Sequence, residues 1–244
     1  MKPYEARSSG NKNWRISSNQ FIAVILCVMQ KVFRLIQKDY LIDTRQKYPI
    51  AGIVLYIFAT IYISYLAFQG SINISTWNAL FWIILLFASV TGIARSFMQE
   101  NNRSLYYYFL ARPEYFFLAK LIYSMLYETL LISITFLLFQ VFLPIAVEIS
   151  NLFFLNLALG GMGIAASFTL ISALSAKTDN QSTMMAILGF PVVIPVLVLS
   201  VVNSRKILMG AVFDDISGNT LTLLSVNVII IVRSEERRVG KECA

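Results

Sequence analysis

The chain has 244 residues, of which 57% are hydrophobic and 14% charged, and its mean hydropathy is +0.69. A soluble domain is roughly 45–50% apolar and about 25% charged, so these proportions exclude a disordered chain, a secreted disulfide scaffold and an ordinary cytosolic enzyme. The absence of His removes His-based catalysis and His-ligated zinc or haem, the two distant cysteines Cys27 and Cys243 carry no pairing or metal motif, and the formal charge is +7.

In chain order, residues 1–28 are a polar stretch and then a nine-residue apolar run, 21–29, too short to span a bilayer. They are expected to be an upstream extension, with Met29 the true start. Residues 29–48 carry Val32, Phe33, Ile36 and Tyr40 at helical spacing, with Lys31, Arg34, Lys38 and Asp39 on the other side. This pattern predicts an amphipathic helix lying on the membrane surface.

A transmembrane domain is expected over 49–232, since a span needs about 20 apolar residues. Its first five spans are read at 50–69, 77–98, 118–143, 152–176 and 184–202. A sixth opens near Leu221 and is cut off at Val232. The wholly polar residues 233–244 break off that apolar run, read like a translated sequencing adapter, and are set aside. The fold class is therefore all-α, a polytopic bundle of six transmembrane helices with the sixth truncated. Assigning loops to alternate sides places 14 basic residues on the side of the N-terminus and 2 on the other, which predicts a cytoplasmic N-terminus.

Several residues stand out within this frame. The longest internal connection reads RSFMQENNRSLYYYFLARPEYFFLAK, and its basic residues Arg95, Arg103, Arg112 and Lys120 mark it as cytoplasmic. Residues 105–111 predict a short helix at the membrane–water boundary, halted at Arg112-Pro113. Its three tyrosines suit an aromatic belt, and the whole loop equally suits a docking surface for a soluble protein. Glu128 falls roughly 12 Å into the third span beyond Lys120. It reads either as a functional intramembrane acid or as a carboxyl facing a polar interior or paired with Lys120 or Arg95. Gly160, Gly161, Gly163, Ala165, Ala166 and Ser167 form a small-residue face for close helix packing. Pro191 and Pro195, in GFPVVIP, predict a hinge in a broken fifth helix. That break is expected to face the bundle interior, beside residues 161–167, or a partner subunit, because freed carbonyls are costly in lipid.

These residues resemble the CcmB family, the membrane subunit of the haem-exporter-type ABC complex of cytochrome c maturation. The segment FRLIQKDYLIDTRQKY is similar to the family's amphipathic N-terminal segment. Phe97, Glu100, Leu105, Pro113 and Lys120 resemble its loop between spans two and three, and Pro191-x-x-x-Pro195 its fifth span. The resemblance implies an ABC-2-like permease with an elbow helix and no ATPase activity of its own. It also implies an ATPase-coupling loop carrying Phe97, Glu100, Arg103, Leu105, Arg112, Pro113 and Lys120. The implied partners are a CcmA-like ATPase, CcmC-like and CcmD-like membrane subunits, the haem chaperone CcmE and membrane lipid, with no nucleic acid. ATP would sit on the partner, haem would be cargo rather than a tightly bound cofactor, and the location would be the bacterial inner membrane. The competing readings are a generic ABC-2 exporter permease for lipid or drug, and an intramembrane enzyme. The lack of His and of an acid pair counts against the latter.

Overall fold

The computed structural model describes residues 34, 36, 37, 41, 47–69, 72–98, 113–145, 150–175, 181–211 and 213–239. Of the expected surface helix at 29–48 only residues 34, 36, 37, 41, 47 and 48 are described, all helical, and the boundary helix at 105–111 lies outside the residues described.

Six long helices are described: α1 (Lys47–Phe68), α2 (Ile74–Met98), α3 (Pro113–Phe142), α4 (Asn151–Ser175), α5 (Gln181–Leu208) and α6 (Phe213–Val239). Each contains a stretch of 18 residues or more that is long and apolar enough to cross a membrane. Helices are the natural outcome for such runs, because in lipid every backbone N–H and C=O must find its partner inside the segment. Hydroxyls on the outer surface are satisfied locally. Thr129 donates to Met125 O, Ser133 to Thr129 O and Ser225 to Leu221 O.

The helix ends follow local rules. Pro113 opens α3, where its missing N–H costs nothing. The α3 end is stapled by Trp77, whose Nε1 donates to Leu143 O at 2.9 Å. At the end of α5, Gly210 takes φ +85°, Ala211 N donates to Lys206 O and Gly210 N to Ile207 O. These two bonds are the Schellman pattern, and they turn the chain sharply into α6.

Helix α4 is the hub. It touches α2, α3, α5 and α6, its most extensive contact is with α5, and 67% of its span is buried. Helix α1 packs chiefly on α2 and α3, and only 17% of its span is buried. The small residues explain the hub, since a Cβ at Gly160 would collide with Trp82 and Ser200, and one at Gly163 with Val196 and Asn227. Large apolar side chains left outside, such as Leu55, Ile63, Leu126, Leu137, Ile187 and Leu221, form the surface that lipid covers.

The sixth span differs from expectation. It begins at Phe213, eight residues before Leu221, and its stretch Asp215–Val232 is long and apolar enough to cross a membrane. Its first two turns, with Asp215, Ser217, Gly218, Asn219 and Thr220, read as a loop in sequence. They are helical because Ile216 is buried and Thr220 finds a partner on α5. Helix α5 likewise runs past residue 202, because Asn203 and Ser204 turn inward to partners instead of starting a loop.

Candidate functional site

Among the described residues, the buried side chains that hydrogen-bond from one helix to another are concentrated in two places. The first is the end of the bundle carrying the connections at 69–73, 143–150 and 209–212, called here the short-loop end. There α2 and α5 are locked together. Asn78 Nδ2 donates to Val201 O at 2.8 Å, Ser204 Oγ donates to Asn78 Oδ1 at 2.7 Å, and Trp82 Nε1 donates to Ser204 Oγ at 2.9 Å. The carboxamide of Asn78 is thus engaged at both ends.

A second set joins α4, α5 and α6 at the same level. Asn203 Nδ2 donates to Asn156 Oδ1 at 2.9 Å and to Thr220 Oγ1 at 3.1 Å, and Asn156 Nδ2 donates to Ser200 O at 3.1 Å. Deeper along the seam, Asn227 Nδ2 donates to Leu159 O at 2.9 Å. Interhelical bonds of this kind are worth about 0.6 kcal/mol each on average in membranes. Their value here is register as much as energy. Sequence reasoning missed these residues, although isolated Asn side chains inside apolar spans were a usable signal, since a polar group there must find a partner.

The second place is the middle of α3. Glu128 is 1% exposed and faces the interior between α2 and α4. Its Oε1 lies 2.7 Å from Ser89 Oγ, which is also 2.7 Å from Leu85 O, while Oε2 has no hydrogen-bond partner. The Glu128 carboxyl therefore pairs with a hydroxyl on α2 rather than with Lys120. The side chain of Arg95 lies outside the described residues. Gly161 lets α4 close over this carboxyl, since a Cβ there would meet Ile132 and the Glu128 Cγ.

The coupling-loop residues are not brought into one described site. Glu100, Arg103, Leu105 and Arg112 lie outside the described residues, as do the side chains of Phe97 and Pro113. Lys120, grouped with the coupling loop by the resemblance although the span read at 118–143 contains it, sits in the body of α3, only 2% exposed, with Nζ 6.0 Å from the Tyr123 ring. Its place is set by α3 starting at Pro113, seven residues earlier than Lys120.

Pro191 and Pro195 do not face the bundle interior, which leaves the other expected neighbour, a partner subunit, for that face. Helix α5 runs unbroken from Gln181 to Leu208 with both prolines inside it, and both rings are exposed on the outer face beside Ile187, Ile194 and Val198. The side turned to α4 carries Val193, Val196 and Ser200, all buried. Spacing explains this outcome. Prolines four apart share one stripe, and the glycines of α4 accept Val196 and Ser200 on the opposite stripe. The carbonyls that lose their helical donor, those of Ile187 and Pro191, fall on the proline stripe too. Replacing both prolines by Ala restores two donors without touching the packed side. The purified double variant is expected to unfold in detergent at a temperature no lower than the parent chain. A drop of several degrees would show that the prolines hold the packed chain together.

Six apolar helices, a packed interior and a lipid-facing girdle define a polytopic helical membrane protein. The sequence profile of the CcmB protein family matches residues 30–234, and the chain belongs to that family. It is accordingly a membrane component, of the ABC permease kind, of a haem-exporting system in cytochrome c maturation. Comparisons with curated proteins and with solved structures returned no match.

Proposed function

We propose that this chain is the non-catalytic permease subunit through which a separate, CcmA-like ATPase acts, in a complex with CcmC-like and CcmD-like subunits and the chaperone CcmE. ATP hydrolysis on the ATPase drives haem release from the chaperone, or haem export. The family match over 30–234 carries this reading and favours it over a general lipid or drug exporter. Charge supports the arrangement. The sequence ends and loops opposite the short-loop end hold the basic excess, whereas the short-loop end has only Arg205 and Lys206. The positive-inside rule then puts the N-terminus and the 99–112 connection in the cytoplasm of a bacterial inner membrane. The ATPase docks on that connection, and Glu100, Arg103 and Arg112 supply its charged contacts.

Reversing charge with Glu100→Lys or Arg103→Glu is expected to lower the ATPase recovered with the purified complex several-fold, and with it ATP hydrolysis. Unchanged yield and hydrolysis would remove the coupling role. A Cys replacing Asn102 should be labelled by an impermeant maleimide only after the membrane is opened. Labelling from outside in intact cells would reverse the orientation.

A further inference from the structure

A small pocket lies between α4, α5 and α6 at the short-loop end, walled by Leu152, Asn156, Asn203, Ile207, Ile216 and Thr220, with room for about one water molecule. Its wall includes a carboxamide whose oxygen is unpaired. Asn203 is 1% exposed and its Oδ1 has no hydrogen-bond partner. The surrounding bonds fix which end of that amide is which. Asn203 Nδ2 faces two oxygens, Asn156 Oδ1 and Thr220 Oγ1. Thr220 spends its own proton on Ile216 O, and Asn156 is held in orientation by Ser200 O. Flipping Asn203 would set its oxygen against Asn156 Oδ1, so Oδ1 must point where no donor of this network reaches.

A buried, unpaired amide oxygen costs about 1–3 kcal/mol. The other unpaired carboxamide oxygen of the seam, Asn227 Oδ1, occupies the space that a Cβ on Gly163 would take. At the same level of the bundle Asn78 is fully engaged by protein. At Asn203 an orphaned acceptor coincides with a pocket of the right size.

We infer that this pocket is a hydration site, in which a bound water donates to Asn203 Oδ1 at the three-helix junction. The joint of α5 with α2 is closed by direct bonds, while its joint with α4 and α6 is completed by an exchangeable small molecule. The α4–α5–α6 seam is therefore wet beside the buried side chains of Asn156, Asn203 and Ile216.

Silver ion, close to water in size, tests this on the full chain with Cys27 and Cys243 replaced by Ser. Ile216→Cys and Thr220→Cys place thiols on the pocket wall. Leu223→Cys places one on the same helix, at a position that is buried but not part of the wall. The purified variants in nanodiscs are exposed to silver, unfolded, and titrated with maleimide by mass spectrometry. At least one pocket thiol is expected to be protected faster than Leu223→Cys by an order of magnitude. Equal rates at both pocket positions and at Leu223→Cys would overturn the inference. Two independent pocket positions keep the test open if one variant does not fold, as judged by size exclusion.

Discussion

Gly160→Ala is expected to be among the most damaging one-methyl changes in the protein. The added Cβ would land on the ring of Trp82 and on Ser200 Oγ. Neither can yield. The Trp82 ring is fully buried against Phe81, and its Nε1 is tied to Ser204. Ser200 Oγ is bonded to Val196 O. Helices α2, α4 and α5 meet at this point, so relief requires backbone movement of the hub. Overpacking of this kind costs about 1–3 kcal/mol, which lowers the ratio of folded to unfolded protein by a factor of roughly 5 to 160. Gly161→Ala, one residue on, is expected to be mild, because the side chain in the way is the flexible tip of Ile132. Gly52→Ala and Gly218→Ala, with nothing near the new methyl, are expected to be neutral or slightly stabilising. Thermal unfolding of the four purified variants in one detergent checks the ranking. A Gly160→Ala protein as stable as Gly161→Ala would show that the junction of α2, α4 and α5 is loose.

The second large effect is expected at Glu128. Glu128→Lys puts an ammonium at the centre of the bundle, within reach of Ser89 and without an opposite charge among the contacts described there. A Lys at the centre of a membrane helix costs roughly 2.5–3.5 kcal/mol on insertion scales. Closure of α4 through Gly161 leaves no route for the side chain to reach the interface. Folded protein and cytochrome c maturation should both be lost. Glu128→Gln keeps the shape and a hydrogen bond to Ser89, so its stability should stay within about 1 kcal/mol of the parent. If Glu128→Gln keeps stability but loses maturation, the carboxyl acts in the transport cycle. If Glu128→Lys matures cytochrome c normally, Glu128 is not in the packed interior.

Particular residues show why some features were legible and others were not. Spans two, three and four could be read within a few residues, because apolar runs of that length have one solution in lipid. The end of α5 and the start of α6 could not. Asn203, Ser204, Ser217, Asn219 and Thr220 are loop formers when read singly, and become helical only when Asn156, Asn78 and Thr220 supply interhelical partners. Lys120 falls within the span read at 118–143 and is also grouped with the basic connection 95–120, since a cation near a span end reads both ways in sequence. The structure keeps it inside α3, where its stem is buried.

By itself the sequence determined the class of protein, its six helices, the family and the small-residue face of the fourth helix. Composition, run length and local spacing are properties of single segments, and no neighbour is needed to read them. The tertiary structure alone decided the facing of every segment. It turned Pro191 and Pro195 outward while Val196 and Ser200 filled the glycine face of α4, and it set Glu128 against Ser89 instead of a cation. It also assembled Asn78, Asn156, Asn203 and Thr220 into one polar layer. Helices α1 to α5 are nearly uniformly apolar around their circumference, so no hydrophobic stripe marks their inner side. Rotation about each axis is settled by close packing and by the few polar groups that must find each other.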